Sequence, residues 1–222
     1  IPTPFDAQGE VDEKALVANL HRWNEHGLAG YVVLGTNGEA VYLGLEEKQR
    51  VLETARQAIP ADKLMIAGTG LESTRETIAL TRLAARTGAD AALVVTPHYY
   101  GGKMTPEALV RHYHAVADAS PIPILIYNVP GNTHLDMDAA AIARAAQHPN
   151  LIGIKDTAGN ITKLADTVRL AGPDFQVLAG SAGFFLAALA LGAVGGVLAL
   201  ANIAPEHSLN IYRLFQDKRW EE

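Results

Sequence analysis

Cysteine is absent from the 222 residues, which excludes a disulfide scaffold, a thiolate metal site and a cysteine nucleophile together. It leaves reducing and oxidising compartments equally open. Positive charge is scarce as well: 18 Lys and Arg against 24 Asp and Glu give a net charge of −6, with no basic block anywhere. Nothing would neutralise a row of phosphates, so a nucleic-acid partner is not expected. Nucleotide loops are missing too, because Gly68-Thr69-Gly70 lacks the downstream glycine and lysine that such motifs need. The eight histidines show no H-E-x-x-H or comparable ligand spacing, so neither a metal nor another cofactor is expected.

Residues 175–205 carry no charge at all, and hydropathy over 183–204 imitates a membrane span. Gly192, Gly195 and Gly196 interrupt that stretch, and it lacks basic or aromatic flanks at both ends. It reads as a short buried helix, a glycine turn and a buried strand, with no membrane partner.

What is present alternates regularly. Short apolar runs at 31–34, 64–67, 91–95, 122–127, 151–154, 176–179 and 197–200 have the character of buried strands. Between them, 12–26, 46–59, 73–87, 106–119, 138–148, 161–170, 184–191 and a last segment from Pro205 show helical spacing. Thr105-Pro106 is an N-cap with proline at the first helical position, and Ser73 with Glu76 forms a capping box. Strands apolar on both faces, alternating with helices, imply a parallel sheet covered on both sides. Seven strands plus a stub at 1–5 make eight, which favours an α/β fold of the closed (β/α)₈ barrel type. With no linker or change of composition, residues 1–222 read as a single domain. The first strand is cut short, and 222 residues fall below the roughly 250 typical of such barrels, so we expect a barrel incomplete at both ends.

Active sites of these barrels sit at the C-terminal ends of the strands. That rule sorts the seven lysines. Lys14, Lys48, Lys103, Lys163 and Lys218 fall on helices or loops and read as solvated charge, and Lys63 begins a strand. Lys155 alone ends one, in Leu-Ile-Gly-Ile-Lys-Asp. Apolar barrel walls disfavour an ammonium; lowering a lysine from about 10.4 to about 7.5 corresponds to roughly 4 kcal/mol. The product is a neutral amine able to form a Schiff base with a ketone. The competing reading is an ion pair with Asp156. Tyr127 ends another apolar strand, either as a core tyrosine bonded to backbone or as a proton shuttle beside an imine. Gly35-Thr-Asn-Gly-Glu39 follows the second strand; its glycines permit an anion nest of N–H groups, although Asn-Gly is also an ordinary turn. The Thr36 hydroxyl could hydrogen-bond a nearby phenol.

Taken together, Gly35-Thr-Asn-Gly-Glu39, Thr96-Pro-His-Tyr-Tyr100, Tyr127-Asn-Val-Pro-Gly-Asn-Thr133, Gly153-Ile-Lys-Asp156 and Gly195-Gly-Val197 resemble the dihydrodipicolinate synthase / N-acetylneuraminate lyase superfamily of class I aldolases. The order and spacing of these pieces span essentially the whole chain. Val94-Val-Thr-Pro, Tyr127-Asn-Val-Pro-Gly-Asn-Thr and Val177-Leu-Ala-Gly-Ser-Ala-Gly183 are most similar to its 4-hydroxy-2-oxoglutarate aldolase branch. The resemblance implies a Schiff base on Lys155, proton relay through Tyr127, and Thr36 linking Tyr127 to a second tyrosine, Tyr99, which reaches into a neighbouring subunit's site. It implies that Thr36 and Asn37 N–H groups hold a pyruvate carboxylate, with Thr157, Gly180 and Val197 lining the pocket. It also implies a homo-oligomer, dimer or tetramer, in the cytoplasm or the mitochondrial matrix, and a C-terminal helical region that this chain lacks.

Two departures bear on substrate. Asn132 stands where the synthases typically carry an arginine that grips the second substrate's carboxylate, and Asn37 replaces a threonine. Loss of a bidentate cation weakens the case for aspartate semialdehyde. The expected reaction is therefore cofactor-free, reversible cleavage of 4-hydroxy-2-oxoglutarate to pyruvate and glyoxylate, by way of a small 2-keto-acid Schiff base. The alternatives are a 4-hydroxy-tetrahydrodipicolinate synthase, a barrel that binds keto acids without turnover, and a metal-dependent aldolase.

Overall fold

The computed structural model describes residues 1–219, so the last three residues of the expected domain lie outside it. Seven parallel strands form one sheet in the order β1-β2-β3-β4-β5-β6-β7: Gly30–Val33, Leu64–Gly68, Ala91–Val95, Ile124–Asn128, Leu151–Asp156, Gln176–Ala179 and Gly195–Gly196. Spatial order equals chain order throughout. A doubly wound sheet would reverse direction partway, so this is the singly wound, curled sheet of the (β/α)₈ fold.

The principal helices are α1 (Glu13–Asn24), α2 (Leu45–Ala58), α3 (Thr74–Arg86), α4 (Pro106–Ala119), a single turn α5 (Pro130–Thr133), α6 (Ala139–Ala145), α7 (Ile161–Ala171), α8 (Phe185–Ala190) and α9 (Pro205–Gln216). Their starts follow the local chemistry. Asp12, Ser73, Thr105, Asp138 and Asn160 each accept an N–H from the first turn of the helix that follows.

Strand alternation divides the core into two layers. Ile124, Ile126 and Ile154 face outward and pack beneath the helices with Val116, Ile142 and Leu164. Leu125 and Tyr127 face inward, together with Val32, Leu93 and Val129. Lys155 follows Ile154 and so points into the barrel, whereas Asp156 and Asn128 point out of it. This parity decides the chemistry described below.

Three expectations need correction. Residues 1–5 form no strand; Phe5 makes only an isolated antiparallel bridge with Val11. Pro2 and Pro4 have no N–H to give to a ladder. Among the described residues β1 and β7 are therefore left unpaired with each other, and an apolar cavity of about 450 Å³ runs between them. The strand expected at 197–200 is instead Gly195–Gly196, followed by a 3₁₀ turn over Ala199–Asn202. The two glycines are strand rather than turn, paired with Leu178 and Ala179 of β6, and a Cβ on Gly196 would lie 2.9 Å from the Phe185 ring of α8. Finally, β4 begins at Ile124 rather than at 122, after Pro121 and Pro123. The charge-free stretch folds as short elements, and no helix among the described residues is long and apolar enough to cross a membrane.

Candidate active site

At the C-terminal end of the sheet, Tyr127 of β4 and Lys155 of β5 are register partners. The Lys155 side chain is buried, with its Nζ 4.3 Å from the centroid of the Tyr127 ring. Desolvation lowers the amine from 10.5 to about 8. The aromatic face opposes part of that shift by favouring the ammonium. Lys155 makes no ion pair among the described residues. Asp156, the alternative partner, points to the other side of the strand and pairs with Lys163, Oδ2 to Nζ 2.8 Å. The ion pair between Lys155 and Asp156 weighed as the competing reading is thus not formed.

Burial pushes the Tyr127 phenol above its usual range, and a hydrogen bond with Thr36 counters part of the rise. The Tyr127 hydroxyl and Thr36 Oγ1 are 3.0 Å apart. The threonine is delivered by a loop that leaves β1 through Leu34, whose φ of 60° is uncommon for a bulky residue. Gly68 makes this path possible, because a Cβ there would sit 2.1 Å from Leu34 O. Thr36 and Asn37 open a 3₁₀ turn, Thr36–Gly38, whose first N–H groups have no acceptor within the turn. The turn is held from below by Thr3, whose hydroxyl donates to Gly38 O at 2.7 Å.

Opposite, Thr157 donates through both N–H and Oγ1 to Asn128 O, at 3.0 and 3.1 Å. The Gly180 N–H donates to Asp156 O at 2.8 Å. No side chain fits at 180, since a Cβ would lie 2.2 Å from Thr157 Cγ2 and 2.8 Å from Asp156 O.

Thr36, Asn37, Tyr127, Asn132, Lys155, Thr157, Gly180 and Val197 all line one cavity of about 340 Å³. Lys155 is the only lysine or arginine in that lining. Asn132 sits in α5, and its side-chain amide makes no hydrogen bond among the described residues. Tyr99 is outside this cavity. Its backbone N–H is tied to Glu72 Oε2 at 2.8 Å, while its ring, 77% exposed, stands edge-on to Tyr100.

Two lysines expected as solvated charge are not. Lys48 is buried and donates to Leu43 O. Lys163 has only 9% of its side chain exposed, enclosed by Asp136 and Asp156. Val129, Leu198 and Asn202 also line the cavity; the first fell within a quoted motif and the second within an expected strand, neither as a site residue, and nothing in the sequence singled out Asn202. Asn202 lies 47 positions beyond Lys155, in a turn whose carbonyl accepts from Trp23 Nε1 at 3.0 Å, so no local signal links the two.

Comparison with known proteins identifies the family. The model of the "Dihydrodipicolinate synthetase family" matches residues 1–221. The chain is 40% identical over 217 residues to the 4-hydroxy-tetrahydrodipicolinate synthase of Thermodesulfovibrio yellowstonii, covering 97% of this chain and 73% of that protein. It is 42% identical over 229 residues to a probable mitochondrial 4-hydroxy-2-oxoglutarate aldolase of Emericella nidulans, covering 100% and 74% respectively. Among solved structures it superposes on the chloride-inhibited dihydrodipicolinate synthase of Acinetobacter baumannii complexed with pyruvate, with a TM-score of 0.94, 37% identity and coverage of 98% and 74%. Since sequence and fold agree along nearly the whole described chain, the protein belongs to the dihydrodipicolinate synthetase family.

Proposed function

We infer that this chain, a member of the dihydrodipicolinate synthetase family whose relatives include a synthase and a probable aldolase, acts as a carbon–carbon lyase. We propose that its reaction is the reversible cleavage of 4-hydroxy-2-oxoglutarate to pyruvate and glyoxylate through a Schiff base on Lys155. The observation that carries this reading is the buried Lys155 amine, lowered to about 8, opening into the cavity beside the Tyr127 hydroxyl and Thr36. At neutral pH a useful fraction of such an amine is uncharged and nucleophilic.

In this mechanism the amine adds to the C2 ketone, and Tyr127 protonates the departing hydroxyl so that water leaves and a protonated imine forms. The resulting phenolate takes the proton of the C4 hydroxyl. The O–H electron pair becomes the aldehyde C=O, the C3–C4 bond breaks, and its electrons pass into the imine to give an enamine. Tyr127 returns the proton to C3, and water hydrolyses the imine to release pyruvate. The N–H groups of Thr36 and Asn37 hold the C1 carboxylate, while Thr157, Gly180 and Val197 shape the pocket. Tyr99, exposed and outside its own cavity, completes the site of a neighbouring subunit in a homo-oligomer.

Asn132 bears on the acceptor through size rather than charge: both acceptors carry a carboxylate, and among the described lining residues neutral amides stand where the resemblance leads to an arginine reaching for the longer aspartate semialdehyde, which favours the smaller glyoxylate. A second reading, 4-hydroxy-tetrahydrodipicolinate synthase, is favoured by relatives of that name at 38–43% identity. Borohydride reduction with pyruvate, followed by mass spectrometry of the Lys155 peptide, tests the shared Schiff base. An unlabelled protein overturns it. Parallel assays with 4-hydroxy-2-oxoglutarate and with aspartate semialdehyde then decide between the two reactions.

A further inference from the structure

Directly behind the Tyr127–Lys155 pair, on the outer face of the same two strands, lies a buried polar cluster. Asn128 and Asp156 are the next register partners along β4 and β5. Asn128 is fully buried and Asp156 is 5% exposed. The Asn128 Nδ2 donates to Asp156 Oδ1 at 3.2 Å and to Asp136 Oδ1 at 2.8 Å, and its Oδ1 accepts the Met137 N–H at 3.0 Å. Asp156 Oδ1 also accepts the Ala158 N–H at 2.7 Å, and Oδ2 meets Lys163 Nζ at 2.8 Å. Lys163 contacts Asp136 as well, from the first turn of α7, where its own N–H is capped by Asn160 Oδ1 at 3.0 Å.

The contacts of the Asn128 side-chain amide and of the Lys163 ammonium run between different elements. They join the ends of β4 and β5, the segment after α5 and the start of α7. A buried ion pair of this kind is close to neutral for stability, because desolvation offsets the attraction. What it does supply is fixed geometry, and it supplies it one residue away from both Tyr127 and Lys155. It also pairs the Asp156 carboxylate with a cation on the side of the strand away from the amine.

We infer that Lys163, through Asp156 and Asn128, is a positioning residue for the Lys155 amine, clamping the two strand ends from the side opposite the substrate. This rests on the Schiff-base reading. It assigns Lys163 no contact with substrate.

The test is single-turnover trapping of Lys155 by pyruvate and borohydride in the wild type, Lys163→Met, Lys163→Arg and the charge-neutral double variant Lys163→Met/Asp156→Asn. The amplitude reports the fraction of folded, competent sites, and the rate constant reports how well the amine is placed. We expect amplitudes near that of the wild type, with rate constants lowered by about 10- to 100-fold in Lys163→Met and in the double variant, as misplacement on the ångström scale produces. Lys163→Arg, which can span both carboxylates, restores most of the rate. The double variant leaves no lone buried charge, so it guards against a Lys163→Met that merely unfolds. Reduced amplitude at an unchanged rate constant, or loss of folded protein in both neutral variants, would assign the cluster to stability alone and overturn the inference. Absence of label in the wild type instead overturns the Schiff base itself, and the inference with it.

Discussion

Tyr127 and Lys155 face each other across adjacent parallel strands, with the lysine Nζ 4.3 Å from the centre of the tyrosine ring. One amine and one phenol, both desolvated, thus share a single apolar wall. Their separation in the sequence is 28 positions, and only the pairing of β4 with β5 brings them together.

Lys155→Ala removes the nucleophile. Turnover of 4-hydroxy-2-oxoglutarate should vanish, and pyruvate with borohydride should leave no label. Wild-type turnover in this variant would end the Schiff-base assignment.

The lowered amine gives two pH trends, both rising with pH but over different ranges. The rate of pyruvate trapping should rise as the amine loses its proton and level off above about pH 8. For stability, the folded-state value lies below the unfolded one, so between about 8 and 10.5 the unfolded chain binds the extra proton. Burial of Lys155 therefore destabilises the fold at pH 7, and that cost fades as pH rises through this window. Lys155→Met should be more stable than wild type by about 3 kcal/mol at pH 7, with the difference shrinking toward pH 10.5 in denaturant titrations.

Tyr127→Phe keeps the ring under the amine and removes the proton carrier. We expect kcat to fall roughly 100- to 10,000-fold while folding is retained. Thr36→Val removes the 3.0 Å hydrogen bond to that phenol and should cost about tenfold, measured in the same steady-state assay.

Gly180→Ala puts a methyl group 2.8 Å from the Asp156 carbonyl. Relieving that overlap displaces the end of β5, so a destabilisation of about 1–3 kcal/mol by urea unfolding should accompany a loss of activity.

Asn132→Arg places a cation in the cavity wall. Glyoxylate and aspartate semialdehyde both carry a carboxylate, so the ratio reads reach: a guanidinium aligned with the longer acceptor should raise its kcat/KM relative to glyoxylate by about tenfold. An unchanged ratio would show that position 132 does not read the second substrate.

Much of the architecture was legible locally. The apolar runs at 64–67, 91–95 and 176–179 coincide with strands to within a residue, because a short continuous apolar run leaves a signal that needs no partner to be read. Helix starts at Thr105 and Ser73 were equally plain, since capping is chemistry within one turn. The segment at 197–200 misled because its apolar residues suit a strand or a cavity wall equally well. Lys163 misled because a lysine on a helix looks solvated until the helix is docked.

The sequence by itself determined the alternation of strands and helices, the placing of one lysine at a strand's end, and the lack of any thiol chemistry. These are properties of spacing and composition, carried within a few residues. Only the tertiary structure decided that Asp156 turns away from Lys155 toward Lys163, that Thr36 meets Tyr127, and that Tyr99 lies outside its own cavity. Those facts depend on strand register and on which helix covers which face, and both are set by contacts between residues far apart in the chain.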